Sequence, residues 1–373
     1  MTANSDPASR AGAILEIDLE AIIDNRRLLA DAAAPAECAA VVKANAYGLG
    51  AEPVARALAA AGCRLFFVAT LDEGIALRCI LGDELQIAVL NGPLPGTAAD
   101  FAGNRLVPVL NDPGQIAEWR HEAASHGGLP AMLHVDTGMA RLGLTLRDFD
   151  ALAEELRGER SIRWRALISH LACADMPAHP LNETQRTRFA AIRARLPGVK
   201  ASLAASSGIF LGSDFHFDLV RPGAALYGVN PQSGGPNPLH PVVRLHGKIV
   251  QIRDVDRGET VGYGAAHVMQ APGRLATVAV GYADGWLRSL SHRGCGRIAG
   301  KRVPLLGRVS MDLVTFDVSA VDPACACPGD SIELLGEEYG IDAAAADAGT
   351  IGYEMLTALG NRYHRVYRGG PAG

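Results

Sequence analysis

The sequence predicts an α/β protein, a (β/α)8 TIM-type barrel followed by a mainly β C-terminal domain. Three observations predict it. The 373 residues exceed one ordinary domain, and 49% hydrophobic residues supply a sizeable core. From about residue 39, short and nearly uninterrupted apolar runs alternate with helical patterns, as in a parallel sheet covered on both faces. Near residue 240 that alternation stops, and β-rich runs joined by turn residues take over.

In chain order, residues 1–12 are expected to be disordered or flexible. A first strand follows at about 13–18, within ILEIDLEAI (14–22), and is expected to pair with the β domain. The barrel domain spans 13–240, and its strands are AAVVK (39–43), LFFVA (65–69), LQIAVL (85–90), LVPVL (106–110), AMLHV (131–135), WRALIS (164–169), KASLA (200–204) and DLVRP (218–222). The helix at 51–61 ends at Gly62, a C′ glycine, and the helix at 112–125 opens with Asp112 as N-cap and Pro113 at N1. A third long helix, 182–196, closes before Pro197 and Gly198. An open doubly wound sheet is the alternative, disfavoured because no G-x-G-x-x-G follows the first strand. NPQSGGPNP (230–238) is a loop by composition. The domain 241–373 then holds VVRLHGKIVQI (242–252), RLATVAVGY (274–282), RIAGKRVPLL (297–306), DLVTFDV (312–318) and SIELLG (331–336).

Composition excludes several classes. A net charge of −5 with 20% charged residues describes neither a disordered chain nor a basic nucleic-acid binder. No run reaches the ~18 apolar residues of a membrane span. The opening MTANSDPASRAG has no signal-type apolar region, and seven scattered cysteines suit free thiols in a reducing cytoplasm. Cys325 and Cys327 form a C-x-C without further ligands nearby, so no metal is expected.

Working residues of such barrels cluster at the C-terminal ends of the strands. Lys43 ends the first, His134 the fifth with Arg141 just beyond, His170 the sixth and Arg221 the eighth, while Ser206 and Ser207 follow the seventh. Two readings of Lys43 stand on position alone: a stem snorkelling to solvent, or a desolvated amine suited to Schiff-base chemistry. The loops after the last two strands, with Gly208 and Arg221-Pro222-Gly223, are the usual phosphate site. An imine-forming lysine beside a phosphate pocket suggests pyridoxal 5′-phosphate.

VVKANAYG, DTGMARLG, ISHLACAD, VRPGAALYG, VGYGAA, GYADG, GRVSMD and GTIGYE, in this order, resemble alanine racemase from about Ile14 to Tyr367. The resemblance implies a pyridoxal-phosphate barrel plus a β domain, working as a cytoplasmic homodimer with shared active sites. It implies that Lys43 holds the cofactor as an internal aldimine and then serves the D-alanine side of the substrate Cα. Tyr263 of the partner subunit would serve the L-alanine side, helped by a relay through His170 to Arg221. Left to its residue type, Tyr263 reads as a packed strand aromatic. Arg221 would face the pyridine nitrogen; it can only donate, which favours racemisation over transamination. Tyr47, Ser206, Gly223, Ala224 and Tyr353 match the family's phosphate contacts. Arg141 and the backbone of Met311 match its contacts to the substrate carboxylate. Tyr282 and Asp312 match the access corridor and gate.

Two positions depart from the family. His134 stands where many members carry a carbamylated lysine that orients the arginine equivalent to Arg141. An imidazole is neutral or positive, so Arg141 is expected to be oriented otherwise, by a bound anion or another side chain. Ala205 stands where some members have Asn, removing a polar contact near the cofactor. The activity implied is interconversion of L- and D-alanine, supplying D-alanine for peptidoglycan. The alternatives are an amino-acid racemase of different or broader specificity, a fold-related decarboxylase, against which Arg221 speaks, and a non-catalytic pyridoxal-phosphate carrier, against which the β domain speaks.

Overall fold

A computed structural model describes residues 6–370. The chain divides into two compact units, Ile22–His240 and a second comprising residues up to Ala21 together with Pro241–Gly370.

In the first unit the expected strands form in order. The first is split at Ala39 into Glu37–Cys38 and Ala40–Val41. Leu65–Val68, Gln86–Val89, Val107–Leu110, Leu129–His134, Ile162–Ile168 and Lys200–Ser202 follow, each parallel to its predecessor. Leu219–Val220 closes the ring. It pairs in parallel with Glu37–Cys38, and Val41 N–H donates to Pro222 O at 2.9 Å. On its other edge Arg221 N–H donates to Ala204 O at 3.0 Å. Leu65–Val68 and Val107–Leu110 are buried throughout, as strands covered on both faces require.

Side-chain caps set the helix starts between these strands. Asp112 accepts from Gln115 N–H ahead of Pro113–Ser125, and Thr70 forms a capping box with Glu73 ahead of Leu71–Leu81. The helix expected at 182–196 is shifted to Pro180–Ala194, because His179 caps it and Pro180 supplies N1. The first strand stops at Val41, not at residue 43, because a left-handed turn begins beyond it.

The second unit is an eight-stranded, mainly antiparallel sheet. Its spine is Val243–Val255, which pairs with Ala13–Asp18, Gly273–Val278 and Ser331–Leu335. Ala13–Asp18 also pairs in parallel with His364–Arg368. Alternation of Leu15 and Ile17 inward with Glu16 and Asp18 outward fits a sheet with one covered face. Two short helices, Ile341–Ala348 and Gly352–Ala358, interrupt the β pattern. Of the segment expected to be flexible, Pro7–Arg10 forms a helical turn capped by Asp6, and residues 1–5 lie outside the described residues. Among the described residues no helix is long and apolar enough to cross a membrane.

Candidate active site

At the end of the first barrel strand, Lys43 opens a turn of four left-handed residues. Ala44, Asn45, Ala46 and Tyr47 have φ of 52°, 54°, 52° and 54°. Each such non-glycine residue costs roughly 1–2 kcal/mol, so the turn has to be held by partners. Ala44 N–H donates to Glu73 Oε1 at 2.6 Å, and Ala51 N–H to Asn45 Oδ1 at 2.7 Å. Burial pushes the Lys43 amine below its ordinary pKa, Arg141 adds to this, and Glu73 opposes it. The other lysines are committed elsewhere: Lys200 pairs with Glu37, Lys248 donates to the carbonyls of Ala8 and Ser9, and Lys301 donates to Ala320 O.

His134, Arg141, His170 and Arg221 form one electrostatic group with Lys43. Burial, then Arg221, Arg141, His134 and Lys43, push the His170 imidazole down to about 3. Burial, Arg221 and Arg141 do the same to His134, also to about 3. Both rings are therefore neutral at ordinary pH. Arg221 is buried; its guanidinium donates to Ser202 O at 2.9 Å and Ser169 O at 2.6 Å and to the Ser202 hydroxyl. Burial lowers it only to about 10, so it stays charged near neutrality. Two guanidiniums and the Lys43 amine around two neutral imidazoles make a mouth suited to anions.

Arg141 stands on a loop fastened by Asp136. The Asp136 carboxylate accepts the N–H groups of Gly138, Met139 and Ala140 at 2.8, 2.8 and 2.9 Å. The loop base is closed by Asp136 N–H to Leu144 O and Leu144 N–H to His134 O, both 2.8 Å. His134 itself is held by Asn111, whose Oδ1 lies 2.7 Å from His134 Nδ1.

Beyond the last two strands Ser206 is buried, and its hydroxyl accepts Gly223 N–H at 3.0 Å and Ala225 N–H at 3.1 Å. A Cβ on Gly223 would come within 2.3 Å of Tyr47 Oη. Tyr47 in turn leans on Tyr227, with ring centroids 4.8 Å apart, and Tyr227 Oη donates to Val41 O at 3.0 Å. The Ser206 and Tyr47 hydroxyls thus both lie against Gly223, beside the backbone of Ala225. This donor set fits a phosphate, and the bare Cα of Gly223 is what admits Tyr47. Ala205, the second departing position, bridges to the Arg221 backbone.

The remaining expected site residues lie in the β unit. Tyr263 begins the short turn Tyr263–Ala265 and is 73% exposed, so it is not the packed strand aromatic that its type allowed. A depression of about 460 Å³ is lined by Tyr263, Arg308, Ser310 and Leu313 among others. Tyr282 N–H donates to Ser310 O and Ala283 N–H to Met311 O, both at 3.0 Å, which joins Tyr282 to the Met311–Asp312 segment. Asp312 is paired with Arg362, which also holds buried Asp284. Tyr353 stands on Gly352–Ala358. The expected residues thus form two groups, Lys43, Tyr47, Arg141, His170, Ser206, Arg221, Gly223 and Ala224 in one unit and Tyr263, Tyr282, Met311, Asp312 and Tyr353 in the other. Glu73, Asn111, Asp136, Ser169 and Ser202 were missed by sequence reasoning. Asn111 and Asp136 directly follow strands and were open to the same strand-end rule.

A family model for the alanine racemase N-terminal domain matches residues 17–231, and one for the alanine racemase C-terminal domain matches 242–367. The alanine racemase of Rhodospirillum rubrum is 52% identical over 96% of this chain and 97% of its own. A catabolic alanine racemase of Mesorhizobium japonicum is 50% identical over 96% of this chain and 94% of its own. The crystal structure of alanine racemase from Bartonella henselae with covalently bound pyridoxal phosphate superposes with a TM-score of 0.92 at 42% identity, covering 96% of this chain and 100% of that one. With both domain models matched and relatives at about half identity across the chain, this protein belongs to the alanine racemase family.

Proposed function

We propose that this chain interconverts L- and D-alanine by two-base proton transfer, with pyridoxal 5′-phosphate held at the barrel mouth. Lys43 carries the reading: a half-buried amine of lowered pKa, set between an anion-attracting cluster and a phosphate cradle. Lys43 would hold the cofactor, and Tyr47, Ser206, Gly223, Ala224 and Tyr353 its phosphate. When bound, the cofactor supplies the electron sink that acidifies the substrate Cα–H.

The chain's own residues handle the proton. Arg141 and the Met311 backbone bind the substrate carboxylate. Lys43 Nζ removes or returns the Cα proton on the D side, favoured by its lowered pKa. Tyr263 Oη does so on the L side. A tyrosine, with a reference pKa near ~10, needs help to act as base. The relay through neutral His170, whose N–H can donate to the phenol oxygen, to protonated Arg221 would supply it. Arg221 only donates, so a ring nitrogen beside it stays unprotonated, which favours racemisation over transamination. We infer that Tyr263 and Met311 serve the other subunit of a homodimer. Tyr282 and Asp312 would line its access corridor.

The setting we infer is cytoplasmic supply of D-alanine for peptidoglycan. The catabolic relative favours a second reading, in which the enzyme consumes D-alanine. Chiral analysis of L-alanine incubated with the protein tests the activity. In Tyr263→Phe, exchange of the Cα proton of L-alanine with solvent should fall about 100-fold or more while that of D-alanine persists. Equal loss from both isomers would remove the two-sided assignment.

A further inference from the structure

We propose that Glu73 is a positioning residue for Lys43, its carboxylate clamping the left-handed turn that aims the lysine amine. The proposal rests on Lys43 being the cofactor-bearing lysine. Glu73 occupies N3 of the helix Leu71–Leu81, where a capping-box glutamate normally serves its own helix start. One oxygen does so here, accepting Ala69 N–H at 2.8 Å and Thr70 N–H at 3.3 Å. The other leaves the helix and accepts Ala44 N–H at 2.6 Å.

That second bond falls where the backbone most needs it. The turn Ala44–Tyr47 contains no glycine, yet all its residues are left-handed. Ala44 follows Lys43 directly, so release of its N–H frees the ψ of Lys43 and the direction of the side chain. A bond from a backbone N–H to a carboxylate is charge-assisted and short, stronger than a neutral one. The anion also faces the amine and opposes the loss of its proton. Glu73 therefore ties the end of the first strand to the helix after the second, with the lysine at the junction.

The test compares wild type, E73A, E73Q and T70A as apoproteins. Thr70 supplies the reciprocal cap, its hydroxyl accepting Glu73 N–H at 3.4 Å, without touching Ala44. Two quantities are measured: hydrogen exchange at the Ala44 amide, and the rate at which the 420-nm-region absorbance (roughly that of a protonated imine) develops after adding pyridoxal 5′-phosphate. E73A should exchange Ala44 at least about tenfold faster and develop absorbance about tenfold more slowly, the worth of one bond to a charged group. T70A should leave both within about twofold, and E73Q, which retains one acceptor, should fall between. Wild-type protection of Ala44 in E73A, or T70A matching E73A in both quantities, overturns the clamp. Should E73A lose its cooperative melt, E73Q decides by the same quantities, wild-type values overturning the proposal. Borohydride fixation and peptide mapping of wild type separates the underlying reading: cofactor fixed to Lys200, Lys248 or Lys301 removes Lys43 and the positioning role together.

Discussion

Nδ1 of His134 lies 2.7 Å from Oδ1 of Asn111, and this contact determines which ring nitrogen carries the proton. Asn111 Nδ2 donates to Leu90 O at 3.0 Å and Val109 O at 2.9 Å, so its oxygen faces the imidazole and can only accept. His134 Nδ1 is therefore the donor, and Nε2 keeps its lone pair. At the end of this strand the chain therefore presents a neutral acceptor.

Acid should destabilise the apoprotein through these rings. His134 and His170 hold folded pKa values of about 3 against an ordinary 6.5. Between those limits the unfolded chain binds more protons, so stability is full above about 6.5 and falls as pH drops toward about 3. The urea midpoint of the apoprotein should decline from about pH 6.5 downward, before ordinary carboxylates titrate, and His134→Gln should remove part of that slope. A midpoint that is flat between about pH 7 and pH 5 would show that the rings are not buried neutral.

Asp136→Ala should weaken substrate binding more than turnover. Burial alone would raise the Asp136 carboxyl, but the N–H groups of Gly138, Met139 and Ala140 outweigh it and hold the group below the usual range. Truncation releases those donors and loosens the loop that carries Arg141. A loss of about 1–3 kcal/mol is expected, read as KM for alanine up about tenfold with kcat within about threefold. A collapsed kcat at unchanged KM would place Asp136 in the chemistry instead.

These partners show where sequence reasoning reaches its limit. Strand ends were legible because apolar runs mark them, and Lys43, His134, His170 and Arg221 follow from that rule. The turn after Lys43 was not, since Ala-Asn-Ala-Tyr has no glycine and a tertiary bond from Glu73 overrides its local preference. Ser169 was hidden as well, because its backbone carbonyl does the work for Arg221 and carbonyls leave no mark in a sequence. In the β unit, GIDAAAADAG had the alanine content of a helix, and Ile341–Ala348 is one.

Gly223→Ala should lower cofactor affinity. The added Cβ would sit 2.3 Å from Tyr47 Oη, so the ring must leave the cradle or the backbone must move. Overpacking of this kind costs about 1–3 kcal/mol, or about tenfold to 100-fold in the Kd of pyridoxal 5′-phosphate titrated into apoprotein. Tyr47→Phe added to Gly223→Ala should recover part of the packing and none of the hydroxyl contact. Unchanged affinity in Gly223→Ala would move the phosphate elsewhere.

Gly281→Ala should separate substrate binding from cofactor binding. Its Cβ would approach Met311 O to 2.3 Å and Asp312 N to 2.5 Å. The peptide cannot retreat freely, because Arg362 holds Asp312 at 2.7 Å and buried Asp284 at 3.0 Å, and Asp284 accepts Gly281 N–H at 2.8 Å. Strain of about 1–3 kcal/mol should therefore appear at the Met311 peptide. With Met311 on the substrate carboxylate, KM for alanine rises about tenfold and cofactor Kd stays within about twofold, opposite to the pattern for Gly223→Ala. Should Gly281→Ala weaken cofactor and leave KM alone, Met311 belongs to the cofactor and its assignment to the carboxylate is wrong.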